Sequence, residues 1–437
     1  MPEIQGPKKG SGEKKSRQFI SEKIVKQPLT KRQVATRGVF VVCTALIFGA
    51  VSAFSFMAVK PFAGRLFGEE EPTETPVFIP KDEPTDVSAP DETEPTESEP
   101  MEEQVQTVME NYRFTVDDMN SMLSSLRMQV QKAEKGIVTV HSVQQGTDWF
   151  DNSMETTGLY AGAIVADNGQ EILILTPDSA VENADSIRVV FGEKQETDGQ
   201  IKQKDTVSGM AVVSVSIGAL ENSVKDSLEV LTLGNSYTVR QGDLILAVGG
   251  PSGIVHSLDY GYVSYVQKNA LMADRVCRVL YSRISADAQK GTFLLNTSGE
   301  LIGWAMEPQG NADGSVNSTV QIMGISDYKG ILERLTNGAQ APYLGVIGQE
   351  VSESMTAQGL PSGIYVMNVV TDSPAYNAGI QSGDVIVGIN GASVTSMKEY
   401  QSAVDGMEVG QQATVSVERN GREQYAQLEF PVTIGSR

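Results

Sequence analysis

The chain has 437 residues, 40% of them hydrophobic and 20% charged, so it is long enough for two or three globular domains with buried cores. Its formal net charge of −21 argues against binding to nucleic acid, because phosphate recognition requires clustered lysine and arginine on the folded surface. The two cysteines, Cys43 and Cys277, lie far apart, which excludes a disulfide framework and a thiolate metal site.

A basic arm and an apolar run open the chain. Residues 1–37 contain ten lysines and arginines against three glutamates. The uncharged run begins at Gly38 and ends at Val59, and as a helix it would extend roughly 33 Å, enough to cross a bilayer. Because the positive residues precede it, we expect a single-pass transmembrane helix in the cell membrane at residues 38–59, with a cytoplasmic arm and an extracytoplasmic remainder. A signal peptide cleaved near "AVSA" is the alternative.

Two further segments precede the globular part. Residues 60–115 include an acidic, proline-rich stretch, which predicts a disordered, extended spacer that lifts the folded domains off the membrane. Residues 116–135 are expected to form a helical segment, because apolar side chains follow an acidic first turn at helical spacing. This apolar face is typical of packing, and another subunit is one candidate partner. Its members are Met119, Met122, Leu123, Leu126 and Val130.

From Gly136 the pattern changes to short apolar runs rich in β-branched residues and separated by turns. Eleven such runs within residues 136–338, followed by a short helix, predict many antiparallel strands. Strands at this spacing are typical of a paired barrel or a sandwich. A separate unit begins after "NGAQAP" and covers residues 343–437.

The second unit resembles a PDZ domain of the kind found in bacterial envelope proteases. The most specific stretch is "SPAYNAGIQSGDVIVGINGASV", which follows a "YLGV" loop and precedes an amphipathic helix. The resemblance implies that the loop amides hold the terminal carboxylate of a peptide, which adds as a strand to the exposed edge, while the helix forms the opposite wall. Use of the domain for intramolecular packing alone is the alternative. The matched residues are Tyr343, Leu344, Gly345 and Val346 in the loop and edge, and Tyr400 and Val404 in the helix.

The chain from residue 136 onward is similar to the HtrA/DegP family of trypsin-like serine proteases. The stretches "ADSIRVVF", "DTVSGMAVVSV" and "GDLILAVGGPSG" follow in order and precede "SADAQKGTFLLN", with the apolar run in front and the PDZ-like unit behind. The resemblance implies a mostly β fold, a trypsin-like double β-barrel followed by a PDZ domain, preceded by the transmembrane helix and the acidic linker. It also implies a trimeric habit.

Carried over residue by residue, the family's three catalytic positions are all substituted. The histidine position falls on Ser179 in "TPDSAV", the aspartate position on Gly209 in "VSGMAV", and the serine position on Lys290 before "TFLLN". Ala288 stands where the family has a glycine that supports the oxyanion hole. Serine attack requires a hydroxyl beside a base that a carboxylate orients. We therefore expect a catalytically degenerate member, a pseudoprotease.

The resulting hypothesis is a membrane-anchored pseudoprotease whose PDZ domain binds C-terminal or extended peptides of envelope proteins. It would act as a quality-control adaptor, sensor or scaffold, as a homo-oligomer or together with an active homologue. One alternative is an active endopeptidase with a rearranged site, in which Ser179 and Lys290 form a replacement dyad or in which Ser285 or Ser298 is the nucleophile. The other alternative is a structural oligomer assembled through the helical segment.

The two histidines fall outside the catalytic positions. His141 lies in the first predicted strand, and His256 follows a glycine-proline turn. We expect His256 to be an isolated surface residue. Two histidines without a companion carboxylate pattern do not predict a metal site, and the sequence predicts no cofactor.

Overall fold

A computed structural model describes residues 75–84, 113–147, 153–192, 195–307, 319–421 and 424–437. The expected basic arm at residues 1–37 and the expected transmembrane helix at residues 38–59 lie outside these ranges. Within the described ranges, no helix has the length and apolar character needed to cross a membrane. All described residues belong to one unit, Glu74–Arg437.

Helix α1 (Val116–Glu134) begins with a capping box. The Thr115 hydroxyl accepts from the Asp118 N–H, and the Asp118 carboxylate accepts from the Thr115 N–H, which satisfies donors at the helix start. One face of the helix packs into the core that joins both barrels, whereas three of the predicted apolar residues, nearer its start, are 41–48% exposed. The packed residues are Leu126, Val130 and Ala133, and the exposed ones are Met119, Met122 and Leu123.

The first six strands close into an antiparallel barrel in the order β1-β2-β3-β6-β5-β4. Five of the six coincide with predicted apolar runs. The fifth, β5, was not predicted, because its sequence "QETDGQIKQKD" is polar and most of its side chains are at least partly exposed. The strands are β1 (Ile137–Thr147), β2 (Ser153–Asp167), β3 (Glu171–Pro177), β4 (Ser186–Phe191), β5 (Gln195–Asp205) and β6 (Met210–Ser216).

A short helix, α2 (Asn222–Lys225), precedes the second barrel, whose strand order is β10-β11-β12-β9-β8-β7. Phe293 and Trp304 face the core between the two barrels and are at most 1% exposed. The predicted double barrel is confirmed. Its second set of strands is β7 (Leu244–Gly249), β8 (Asp259–Met272), β9 (Arg275–Ser282), β10 (Thr292–Leu295), β11 (Leu301–Ala305) and β12 (Val320–Gly324).

Part of the expected spacer is packed on the barrels. Residues 75–84, called the docked segment below, lie against helix α3 (Lys329–Thr336). Ile79 is 4% exposed, and the Asp82 carboxylate pairs with Lys329 Nζ at 2.9 Å. Asn337 exchanges two hydrogen bonds of 2.8 Å with the backbone of Val77. The prediction of an extended spacer is therefore wrong for these residues, because Ile79, inside the acidic stretch, is buried against the barrels and Val77 is partly buried.

The C-terminal unit contains the sheet β14-β15-β16-β18-β19, in which β14 has one sheet neighbour. Tyr400 and Val404 are buried in its core. The predicted fold class is confirmed here too. Its elements are β13 (Pro342–Tyr343), β14 (Val346–Glu350), α4 (Glu353–Thr356), β15 (Ile364–Val369), α5 (Pro374–Ala378), β16 (Val385–Ile389), β17 (Ala392–Ser393), α6 (Met397–Asp405), β18 (Gln412–Asn420), β19 (Tyr425–Thr433) and β20 (Gly435–Ser436).

A buried ion pair ties the C-terminal unit to the first barrel. Arg437 Nε donates to Asp205 Oδ1 at 3.0 Å, and the Tyr328 hydroxyl donates to Asp205 Oδ2 at 2.7 Å. The side chains of Arg437 and Asp205 are 2% and 0% exposed. Burial, and then the charge of Asp205, raise the pKa of Tyr328 well above its ordinary value, so its phenol stays protonated and donates.

We predict that Asp205→Ala lowers the free energy of unfolding by about 3–5 kcal/mol, because it leaves the Arg437 guanidinium buried without its partner. Unfolding in guanidinium chloride, followed by tryptophan fluorescence, measures this change. Asp198→Ala removes an exposed carboxylate from the same strand and is the matched control, with an expected change within about 0.5 kcal/mol. Equal effects of the two variants would contradict the prediction.

Candidate peptidase and peptide-binding sites

The structure brings together the three segments that carry the substituted catalytic positions. Ser179 lies in the single 3-10 turn after β3, and its hydroxyl donates to the Gln289 carbonyl at 3.1 Å. The Asp178 N–H of the same turn donates to the Gly209 carbonyl at 3.0 Å. Lys290 directly follows Gln289. The strands of both barrels therefore still deliver these turns to one junction.

The side chains at this junction do not form a nucleophile and base. Lys290 Nζ donates to the Leu159 carbonyl at 3.2 Å and lies 4.7 Å from the centre of the Tyr160 ring. The Ser179 hydroxyl is directed to Gln289 instead, and within the described residues the structure gives no hydrogen bond between Ser179 and Lys290. This geometry does not favour a Ser179–Lys290 dyad, since a base must lie within hydrogen-bond reach of the hydroxyl that it deprotonates.

The backbone N–H at the serine position is also engaged in a hydrogen bond. In serine proteases the amide of the nucleophilic residue is one of the donors that stabilise the oxyanion. Here the Lys290 N–H donates to Asp287 Oδ1 at 3.0 Å. The Asp287 N–H in turn donates to the Thr292 hydroxyl, and that hydroxyl donates back to the Asp287 carbonyl. The turn thus uses the Asp287 and Lys290 N–H groups internally, and the Asp287 carboxylate accepts from the amide at the serine position.

Asp178 is an acidic neighbour of the junction that the sequence did not single out. Burial raises the pKa of its carboxyl above the ordinary value, and a hydrogen bond from the Ser179 backbone opposes that shift. A carboxyl at this place could orient a histidine, but position 179 carries a serine. Of the alternative nucleophiles, Ser285 lies in the loop before the turn of Lys290 and Ser298 lies in the β10–β11 turn, and their N–H groups donate to Asp259 and Asn296.

The histidines are not isolated, which corrects the expectation for His256. Its Nδ1 lies 2.9 Å from Glu134 Oε2 and its Nε2 lies 3.1 Å from the Thr139 hydroxyl. His141 Nδ1 lies 3.2 Å from Glu196 Oε1. The order of hydroxyl, imidazole and carboxylate around His256 is that of a hydrolase triad. Thr139, however, lies inside β1 and pairs with both β2 and β4, away from any turn that could present amides to an oxyanion.

In the C-terminal unit, three successive backbone amides converge on one carboxylate. We call Leu344, Gly345 and Val346 the amide loop. Their N–H groups donate to the Asp274 carboxylate at 2.7 to 3.0 Å, and the Tyr400 hydroxyl donates to Asp274 Oδ1 at 2.8 Å. The structure therefore brings four of the six predicted peptide-binding residues to a single point. Asp274 belongs to the turn between β8 and β9, so this carboxylate comes from the second barrel.

Gly345 is the residue that shapes the amide loop. Its φ is 90°, and a Cβ placed there would lie 2.2 Å from the Cβ of Ser373, so a side chain at this position would clash and be strained. Tyr343 packs beside it, and burial, followed by the charge of Asp274, raises the pKa of Tyr343 to about 12. Val404 lies one turn after Tyr400 on α6 and is 2% exposed.

Asp274 is the functional residue that sequence reasoning missed. The stretch "LMADRV" signals a two-residue corner between strands, yet nothing in it indicates a partner 70 residues away. Burial and then Asp274 raise the pKa of Tyr400 well above its ordinary value, so its phenol stays protonated and donates to the carboxylate.

Comparison with known proteins agrees with this architecture. Residues 160–303 match the family of trypsin-like peptidase domains, and residues 342–430 match the family of PDZ domains. A probable periplasmic serine endoprotease, DegP-like, of Pseudomonas savastanoi pv. phaseolicola is 28% identical over 295 residues, which are 65% of this chain and 57% of that protein. The serine protease Do-like HtrA of Bacillus subtilis is 25% identical over 65% of this chain and 66% of its own length.

The chain thus spans less than two thirds of the length of these relatives. A solved structure of the HtrA-type protease AlgW with a decapeptide has a similar fold, with a TM-score of 0.50 and 22% identity over 71% of this chain and 98% of that one. Strand order, domain order and these matches agree, and the chain is therefore HtrA-like, with a trypsin-like peptidase domain followed by a C-terminal PDZ domain.

Proposed function

We propose that this protein is an HtrA-like pseudoprotease that binds peptide or protein C-termini through its PDZ domain. The observation that carries the proposal is the turn at the serine position, where Lys290 replaces the nucleophile and its amide donates to Asp287. The protein would serve outside the cytoplasm as a quality-control adaptor, sensor or scaffold, alone or together with an active homologue.

The loss of chemistry follows from what acyl transfer requires. A protease stripped of its triad retains only about 10³–10⁴-fold catalysis over water, and that remainder comes from the oxyanion hole and from substrate binding. In this chain all three triad positions are substituted and one oxyanion amide is occupied by a carboxylate. A residual rate would therefore rest on substrate binding and on the other oxyanion donors alone. The relatives are described as a probable serine endoprotease and as a serine protease, and an active enzyme with a rearranged site is the alternative.

Two observations support the proposed location of the protein. The Pseudomonas relative is described as periplasmic, which agrees with an extracytoplasmic position of the folded domains. The basic arm followed by the apolar run at residues 38–59 supports a single-pass anchor in the cell membrane with a cytoplasmic N-terminus.

We predict that the purified full chain neither reacts with a fluorophosphonate probe nor cleaves unfolded casein, because it lacks both the activated hydroxyl and a free oxyanion hole. Gel fluorescence and release of casein fragments measure the two activities, with Lys290→Ala as the matched variant and the Bacillus subtilis HtrA as the positive control. Labelling that disappears in Ser179→Ala or Ser285→Ala would overturn the pseudoprotease and establish the rearranged enzyme.

We predict that the full chain binds decapeptides with free C-termini and that amidation of those termini weakens binding at least about tenfold, since the amide loop then loses its charge-assisted hydrogen bonds. A peptide array probed with fluorescent protein, at peptide concentrations up to the millimolar range, measures this. Gly345→Ala should abolish binding because of its clash with Ser373. Gly359→Ala has an equally positive φ but open space and is the control. Binding that is indifferent to amidation would contradict this mode of recognition.

Self-assembly through α1 is a second proposal, and exposed apolar side chains favour it. The apolar stripe of α1 is buried near the end of the helix and exposed near its start. We propose that further copies of this chain cover the exposed half, as in a homotrimer.

We predict that Met119→Glu combined with Leu123→Glu converts the oligomer to monomer, because charges would then have to be buried between copies. Sedimentation velocity of the detergent-solubilised chain measures the mass. Asn120→Glu, on the same helix, is the control and should leave the mass unchanged. A wild-type monomer at all concentrations would exclude the assembly.

A further inference from the structure

A cavity lies between the end of α1, the start of β1, the turn after β4 and the region of α2. Its volume is about 290 Å³, the space of about ten waters. Mostly apolar walls with a few polar groups are typical of sites for small molecules. The cavity shares no lining residue with the three substituted catalytic positions or with the amide loop. Its apolar walls are formed by Ile137, Val138, Phe191, Val224 and Leu228.

Glu134, the last residue of α1, brings a carboxylate to this cavity. Its Oε2 lies 2.9 Å from His256 Nδ1, whereas its Oε1 is buried and receives no hydrogen bond from the part of the chain that the structure describes. A carboxylate oxygen withdrawn from water without a donor raises the free energy of the folded state. This oxygen therefore favours a donor that enters the cavity from solution.

Water alone is a poor donor at this place. A buried water is stable when it has two to four polar partners. Of the polar side chains that line the cavity besides Glu134, the Ser227 hydroxyl already donates to the Val224 carbonyl at 2.8 Å, and Gln131 and Lys135 belong to the exposed rim. A molecule with one strong donor and an apolar body matches these walls better than water does.

The charge of the cavity selects the chemical class of the ligand. The Glu134 carboxylate repels an anion, and one carboxylate oxygen falls short of the six or more oxygen ligands that a calcium ion takes. A primary ammonium offers three donors and a positive charge, and charge-assisted hydrogen bonds are roughly twice as strong as neutral ones. The Lys135 ammonium is exposed at the rim, where water and salt screen its repulsion of a second cation.

We propose that this cavity binds a small primary amine, with the ammonium on Glu134 Oε1 and the alkyl body against the apolar walls. The site is independent of the proposed peptide binding. The other oxygen of Glu134 faces His256, whose Nε2 lies 3.1 Å from the Thr139 hydroxyl. A bound ammonium therefore shares the carboxylate with His256, and occupancy of the cavity changes the surroundings of this imidazole.

The test titrates n-butylammonium into the full chain, with n-butanol as the neutral probe and methylammonium as the probe without an apolar body. Calorimetry measures the affinity, and the imidazole NMR signals of labelled histidine report the place. The chain has two histidines, and His141 pairs with Glu196 instead, so its signals are an internal reference. Glu134→Gln removes the charge and keeps the size, and Glu196→Gln makes the same change beside the other histidine as the matched control.

We expect butylammonium to bind saturably, at least about tenfold more weakly to Glu134→Gln, and equally to Glu196→Gln and the wild type, because only the Glu134 carboxylate lines the cavity. Butanol should bind at least about tenfold more weakly because it lacks the charge, and methylammonium at least about tenfold more weakly because it buries three fewer carbons. The His256 signals should move during the titration while those of His141 stay.

Three results would overturn the site and leave Glu134 Oε1 to water: no saturable binding, equal affinities for butylammonium and butanol, or equal losses in the two glutamine variants. Signals of both histidines that move together would also overturn it, since they report a general effect of the added salt. Nα-acetyllysine amide carries the same ammonium on a peptide unit. If it bound more tightly than butylammonium, the free amine would be the wrong ligand.

Discussion

A carboxylate withdrawn from water must be met by hydrogen-bond donors or by a positive charge, and this constraint governs how the barrels hold the C-terminal unit. Asp205 and Asp274 are both buried, and each takes donors from across the boundary. A shift of about an ångström would leave a charge buried without its partners, whereas full separation would return it to water. These two buried carboxylates therefore fix the position of the C-terminal unit against the barrels.

The packing of the two barrels does not depend on which residues occupy the three substituted catalytic positions. Phe293 and Trp304 fill the core between the barrels whatever residue precedes them. Gly291 illustrates the same separation of roles: its φ is 84°, and a Cβ there would lie 2.7 Å from the Ala161 carbonyl. The glycine that follows Lys290 is thus required by the close approach of β2. Packing preserves the frame that makes the family resemblance visible, whatever residues stand at the three catalytic positions.

What the sequence could predict corresponds to what is encoded locally. Runs such as "EILILT" predicted strands because their residues line a core, and resemblance placed Ser179, Gly209 and Lys290 in turns that the structure brings together. Strand β5 was not predicted, because the neighbouring strands supply the apolar residues that line the first barrel. The hydrogen-bond partners of Asp274 and His256 could not be predicted for a different reason. Each contact joins residues 70 or more positions apart and depends on the docked arrangement. The prediction for residues 60–115 rested on their average composition, which gives no weight to the few apolar residues that pack on the barrels.

The docked segment changes the reach of the protein from its proposed anchor. If residues 60–115 were all free, the folded domains could stand about 190 Å from the end of the apolar run at full extension. With residues 75–84 held against α3, only residues 60–74 separate the run from the folded unit, which limits that distance to about 50 Å. The acidic residues 85–112 then connect two points of the same unit. An anchor at the proposed place would therefore keep the folded domains close to the bilayer, where they would meet membrane-proximal chain ends far more often than unanchored domains.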